Sequence, residues 1–169
     1  GTGGVSIFAI QIAVAMGARV IATSSKDENL SAVEKLGVSA GVNYRTWPNW
    51  HEKVLELTDG NGVDITLDVA GGNGINQSVL ATKAAGKIAQ IGFLTGQRSE
   101  LDLMPVIFRQ TTIRGIAVAP RSSFDRMNVF LTEHNIRPVI DQVYGFNDAR
   151  AAYEHLARGA FGKVVIKID

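Results

Sequence analysis

Gly1, Gly3 and Gly4 bracket Thr2 and lead into Val5 and the small Ser6, giving the pattern Gly-x-Gly-Gly-x-Ser. A turn that carries a phosphate must let backbone N–H groups reach oxygen, and a side chain at the nearest positions blocks that approach. The pattern is one substitution from a dinucleotide fingerprint, and an apolar helix follows at once, so its amides and dipole would face a pyrophosphate. A tight turn is also glycine-rich for packing reasons alone, and in isolation the loop carries both readings. Further on, Arg19-Val-Ile-Ala-Thr23 ends at Ser24-Ser25-Lys26. A site for an unphosphorylated ribose usually carries Asp or Glu there, which would repel a 2′-phosphate. Two hydroxyls and an ammonium suit a phosphate dianion instead, so the pattern predicts NADP over NAD. The same residues also read as the cap and solvated start of the next helix.

Other chemistry is thinner. His51, His134 and His155 fall on three separate predicted helices, with no pair at ligand spacing and no cysteine to join them, so no metal site is expected. No Gly-x-Ser-x-Gly elbow surrounds Ser6, Ser24 or Ser25. Asp64 and Asp68 share one side of a predicted strand and are expected as cap or turn ligands at its ends. Trp47, Pro48 and Trp50 read as a packing cluster at a helix start rather than a base-stacking platform. Arg121 and Arg126 read as surface charges before phosphate contacts.

The elements that must position these residues alternate. An apolar helix is predicted over Val5 to Met16 and stops at Gly17, followed by a strand at Arg19 to Thr23 and a helix from Asp27 to Leu36, ending at Gly37. Gly41 to Tyr44 reads as a short strand, and Pro48 opens a helix whose apolar face includes Trp50, Val54, Leu55 and Leu57. Strands are predicted over Val63 to Ala70 and Gly86 to Gly92, with a helix through about Lys83 between them. After a loop containing Pro105 come a strand at Thr111 to Val118, a helix at Ser122 to Asn135 and a strand at Pro138 to Val143. A helix at Asn147 to Leu156, capped by Asn147, and a strand at Lys163 to Ile168 complete the pattern. Strands separated by helices imply parallel βαβ units in an α/β, doubly wound, three-layer sheet of Rossmann type.

Composition bounds the function. The 169 residues are 46% apolar, enough for one globular domain with a substantial core. Seventeen basic against sixteen acidic side chains leave a formal charge of +1 and no field to draw in a polyanion, so nucleic acid is not an expected partner. The absence of cysteine removes disulfides, thiolate catalysis and Cys-rich zinc clusters from these residues and permits a cytoplasmic location. Apolar runs fall short of the roughly 20 residues of a membrane helix, and no signal leader is expected.

These segments together resemble the cofactor-binding domain of the medium-chain dehydrogenases/reductases. The resemblance rests on the glycine loop, Ala15-Met-Gly-Ala-Arg-Val-Ile-Ala-Thr23, Leu36-Gly37 with Val42-Asn-Tyr-Arg45, and Gly62-Val-Asp64. It continues through Asp68-Val-Ala-Gly-Gly72, Gly86-Lys-Ile-Ala-Gln-Ile-Gly92, Arg137-Pro-Val-Ile-Asp141 and Phe161-Gly-Lys-Val-Val165, covering the whole chain. It is nearest to the NADP-preferring, quinone-oxidoreductase-like branch of the alcohol dehydrogenase superfamily.

The resemblance implies that Gly1, Thr2, Gly3, Gly4 and Val5 bind the pyrophosphate. It implies that Ser24, Ser25 and Lys26 meet the 2′-phosphate, with Tyr44 near the same adenosine end. Some relatives carry lysine where Asn29 stands, a role Lys26 would take here. Val69 and Ala70 would lie against the adenosine ribose, and Gly92, Phe93 and Leu94, with the Ala117 to Pro120 segment that includes Val118, would hold the nicotinamide ring and carboxamide. Phe93 and Leu94 also read as ordinary core. The strand Thr111 to Val118 would pair with a second copy across a homodimer, or else lie at an edge covered by a loop.

The family's central first strand, ahead of the glycine loop in the order 3-2-1-4-5-6, is expected upstream and missing here, as is a GroES-like catalytic domain that receives the small-molecule substrate. The chain is thus expected to supply half of an active site and to be inactive alone, in an oxidoreductase moving hydride between NADP(H) and a carbonyl, quinone, enone or alcohol. An NADPH-binding redox sensor or assembly module without catalysis is the alternative, and a site for a flavin or a nucleoside sugar a third.

Overall fold

The structure is a computed structural model that describes residues 1–168. In chain order the elements are α1 (Gly4–Ala15), β1 (Ile21–Ser24), α2 (Asp27–Glu34), β2 (Ala40–Asn43), α3 (Trp50–Glu56), β3 (Val63–Asp68) and α4 (Gly74–Ala81). Then come β4 (Thr82–Gln90), α5 (Leu103–Arg109), β5 (Thr112–Gly115), α6 (Arg121–Glu133), β6 (Ile140–Gly145), α7 (Ala149–Ala157) and β7 (Lys163–Lys167). The alternation is α/β of Rossmann type, and the ladders β3–β4, β4–β5 and β6–β7 are parallel. Among the described residues the strands form three sheets, ordered β1-β2, β3-β4-β5 and β6-β7.

Two compact units make up the chain. One comprises Gly1–Gly41 with the residues from Pro120 onward, the other Val42–Ala119. In the first, Ile7 and Ile10 of α1, Ala22 of β1, Val33 of α2 and Val38 form a core, with Val139 and Phe161 packed against it. Gly37 ends α2 at φ 92°, a left-handed turn that glycine adopts without strain. On α7, His155 ties the helix to β6: its Nδ1 lies 3.0 Å from the Tyr144 hydroxyl and its Nε2 3.0 Å from Asp141. Asp141 also accepts from the Phe161 N–H at 3.1 Å. In the second unit Ile75 and Val79 of α4 pack on Ile88 of β4, with Leu101 and Val106 alongside.

Several expected boundaries move. The helix expected through Lys83 ends at Ala81, and β4 starts at Thr82 rather than Gly86. Thr82 is fully buried and already extended, its hydroxyl bonded to the Ser78 carbonyl and to Thr66, so the chain turns from helix to strand without a loop. The segment around Pro105 is the helix α5 rather than a loop; Asp102 caps it by accepting from the Met104 N–H, and Pro105 sits in the first turn, where no N–H is needed. Asn147 does not cap α7: it lies inside a 3₁₀ turn, Phe146–Asp148, and the helix begins at Ala149. The strand expected over Thr111 to Val118 narrows to Thr112–Gly115 at the edge of its sheet, where it pairs with β4 alone.

Candidate functional site

The glycine loop stands at the start of α1. Gly3 is the N-cap, and the Ile7 N–H makes the first helical bond to the Gly3 carbonyl at 2.9 Å. The amides of the first turn therefore have no partner within the helix and carry its positive end. A Cβ on Gly3 would meet nothing within 4 Å, so the space beside that residue is open. The loop is held from behind. Gly162 donates to the Thr2 carbonyl at 2.9 Å and forms an isolated parallel bridge with Gly3. Asn29 Nδ2 donates to the Thr2 hydroxyl at 2.8 Å, burying Thr2 between the loop and α2. Gly162 adopts φ 77°, and a Cβ there would lie 2.4 Å from the Val139 carbonyl oxygen, so a larger residue would push this support away.

Lys163 adds a cation that spacing alone did not single out. Its side chain crosses Gly4 so closely that a Cβ on that glycine would lie 2.8 Å from both Cε and Nζ, and Nζ lies 5.9 Å from the Phe8 ring centre. Among the described residues no carboxylate forms an ion pair with it. An ammonium beside a helix N-terminus meets like charge, an arrangement that an anion relieves. The Phe161-Gly-Lys run was visible in the sequence, but only folding brings β7 to the start of α1.

At the end of β1, Ser24 is 3% exposed and its Oγ accepts from the Lys26 N–H at 3.3 Å. Ser25 and Lys26 follow at the turn into α2, where Lys26 is the N-cap residue. No carboxylate stands at Ser24, Ser25 or Lys26; the acids Asp27 and Glu28 lie within the first turn of α2.

In the second unit, Val69 and Ala70 leave β3 while Gly92, Phe93 and Leu94 leave the adjacent β4. Both segments emerge from the carboxyl ends of parallel strands, where open α/β sheets bind ligands. Phe93 and Leu94 are 63% and 86% exposed, so their reading as core residues does not hold in this unit. Asp68, 5% exposed, closes the turn: Oδ1 accepts from the N–H groups of Ala70 and Gly71 at 3.0 and 2.9 Å, and Oδ2 from the Ser78 hydroxyl at 2.8 Å. It is thus the turn ligand expected at a strand end. Asp64 is exposed and ion-paired to Lys83, whose hydrogen bond and charge hold its carboxyl below the usual range. Tyr44 stands just beyond β2 and Val118 fully exposed beyond β5.

The histidines remain apart by role. His51 bonds Gln77 at 2.6 Å, His134 stacks on Phe130 with ring centres 4.0 Å apart, and His155 bonds Tyr144 and Asp141. Among the described residues no group of His, Cys, Asp or Glu is arranged to hold a metal ion. No described helix is long and apolar enough to cross a membrane.

Comparison with known proteins identifies the family. The family described as zinc-binding dehydrogenase matches residues 4–133, and the chain belongs to it. A zinc-type alcohol dehydrogenase-like protein of Schizosaccharomyces pombe is 38% identical over 174 residues, covering 100% of this chain and 50% of that protein. A solved structure from Sinorhizobium meliloti, described as a candidate alcohol dehydrogenase, superposes with a TM-score of 0.93 at 40% identity, over 99% of this chain and 49% of that one. An NAD-dependent alcohol dehydrogenase structure gives 0.88 at 35% identity, over 99% and 49%. The chain spans about half the length of the relatives it matches.

Proposed function

We propose, from this family membership and the open glycine loop, that the chain is the cofactor-binding part of an oxidoreductase that moves hydride between NADP(H) and a carbonyl, quinone, enone or alcohol. The observation that carries the reading is the first turn of α1: amides without helical partners, no side chain over Gly3, and the Lys163 ammonium across Gly4. These features fit a pyrophosphate, whose charge would meet the helix dipole and the lysine together.

When bound, the nicotinamide supplies the hydride. The chain's own residues would bind and orient it. Gly1, Thr2, Gly3, Gly4 and Val5 with Lys163 would hold the pyrophosphate. Val69 and Ala70 would bound the adenosine ribose, with Tyr44 towards the same end. Gly92, Phe93, Leu94 and Val118 would line the nicotinamide, the exposed apolar pair excluding water from one ring face. Ser25 and Lys26 would meet a 2′-phosphate, while Ser24, already accepting from the Lys26 amide, sets the turn that presents them. The lack of a carboxylate at these three positions supports NADP; the relative described as NAD-dependent marks the competing choice. The described residues offer no ligand set for zinc. The exposed edge strand β5 supports a homodimer joined through Thr111 to Val118. A cytoplasmic location accords with a cysteine-free chain.

The test is a Ser24→Asp substitution in the full-length protein. NADPH affinity is expected to fall at least about tenfold more than NADH affinity, on the order of 1.4 kcal/mol of discrimination. Equal losses for both cofactors would remove the NADP assignment, and a wild-type protein that bound neither would remove the cofactor site.

A further inference from the structure

The segments after β3 and β4 are latched to each other by a residue that neither the glycine loop nor the 2′-phosphate argument uses. Thr95 donates its N–H to the Ala70 carbonyl at 2.8 Å, and its hydroxyl lies 3.2 Å from the Ala70 oxygen and 3.0 Å from that of Gly71. Gly72 donates to the Gly96 carbonyl at 3.1 Å, and Gly71 and Gly96 form an isolated parallel bridge. From the β3 side, Asp68 fixes the Ala70 and Gly71 amides and is itself fixed by Ser78 of α4. From the β4 side, Gln90 Nε2 donates to the Gly92 carbonyl at 2.7 Å, and the Ile91 N–H reaches the Asp68 carbonyl at 2.7 Å.

The two backbones touch. A Cβ on Gly92 would lie 2.3 Å from the Val69 carbonyl oxygen, and one on Gly71 would lie 2.7 Å from the Phe93 Cα. Two loops this close with so many main-chain groups paired have little freedom to slide, and the Thr95 hydroxyl is a side-chain link that spans them.

We propose that Thr95 is a positioning residue that sets the spacing between the ribose-facing residues Val69 and Ala70 and the nicotinamide-facing residues Gly92, Phe93 and Leu94, with Asp68 and Ser78 as its anchor. The inference rests on the cofactor reading above. A dinucleotide is one covalent ligand touching both loops, so its affinity depends on their separation. Either half alone touches one loop and is indifferent to that separation. A misplaced ring also costs rate, because reacting atoms must be held within a narrow distance.

Thr95→Val keeps the shape and the backbone N–H bond but removes the hydroxyl; Thr95→Ser keeps the hydroxyl. Both are compared with wild type in the full-length protein by titration with NADPH, NADH, ADP and reduced nicotinamide mononucleotide. The fluorescence gain of the bound reduced ring reports its environment. Thr95→Val is expected to weaken the better-bound dinucleotide about fivefold, the scale of one lost hydrogen bond, and to lower its fluorescence gain. Both fragments should bind within about twofold of wild type, since an intact loop geometry around each half is worth less than one such bond. Thr95→Ser should restore both readouts. Unchanged dinucleotide binding in Thr95→Val, an equal loss for ADP and dinucleotide, or failure of Thr95→Ser to restore would overturn the proposal. If wild type binds neither dinucleotide, the cofactor reading itself fails; if wild type binds and Thr95→Val matches it, only the positioning role fails.

Discussion

The glycine loop and the paired loops after β3 and β4 bring backbone to the surface in opposite ways. At Gly3, the N-cap of α1, no other group comes within 4 Å of where a Cβ would stand. At Ala70 and Gly71 the structure consumes both the amides and the carbonyls, through Asp68 and Thr95, leaving Phe93 and Leu94 exposed beyond them. One region leaves the first amides of a helix without partners inside that helix; the other pairs amides and carbonyls to hold a shape. Glycine therefore means different things in the two places. At Gly3 it keeps room for something else, whereas at Gly92 it lets two strands of the protein's own backbone meet.

The sharpest test of this contrast swaps bulk into each. Gly92→Val would drive a Cβ into the Val69 carbonyl and is expected to destabilise the fold by about 3 kcal/mol, a scale seen when backbone must shift in a packed site; the loss is read in thermal or denaturant unfolding. Gly3→Leu places its Cβ where nothing lies within 4 Å and should leave unfolding nearly unchanged while weakening NADPH by about 100-fold, roughly 2.7 kcal/mol. If the two substitutions affected stability alike, the distinction between the regions would collapse.

Lys163→Ala comes next in size. Removing a charge-assisted contact should weaken NADPH about tenfold and flatten the dependence of its affinity on salt, with no change in the unfolding midpoint. Lys163→Arg should recover most of the loss. An affinity unchanged in Lys163→Ala at low salt would show that the backbone amides suffice.

The smallest effect belongs to a pair outside both regions. The Asp64 carboxyl is held below its ordinary value by the hydrogen bond and charge of Lys83. Its folded value lies below the unfolded one, so its contribution is present above the ordinary carboxylate range and lost as pH falls through the lowered folded value. Asp64→Asn should therefore leave the unfolding midpoint almost unaltered in high salt and slightly reduce its acid sensitivity at low salt. A large shift at neutral pH in high salt would contradict a solvent-exposed pair.

Much of the fold was legible because its signals are local. The apolar surface of α1, the β-branched run of β1 and the left-handed glycine after α2 declare themselves within a few residues. The misread places carried either no local punctuation or an ambiguous one. Thr82 begins β4 with no Gly or Pro before it because its burial and its bonds to Ser78 and Thr66 carry the chain straight from helix to strand. Pro105 looked like a loop residue because a proline in the first turn of a helix is distinguished from one in a loop only by the cap ahead of it, here Asp102.

The candidate site divides in the same way. The glycine loop and the absence of a carboxylate from Ser24 to Lys26 are statements about residue type at fixed spacing, and the sequence alone determined them. That Lys163 lies across Gly4, that Asn29 braces Thr2, and that Thr95 spans to Ala70 and Gly71 were decided only by the tertiary structure. In each case the partners are more than 20 residues apart in the chain, and only folding brings their segments together. Hydrophobic periodicity and turn chemistry report what a segment can become; which polar groups then meet depends on register and close approach, quantities that no single segment contains.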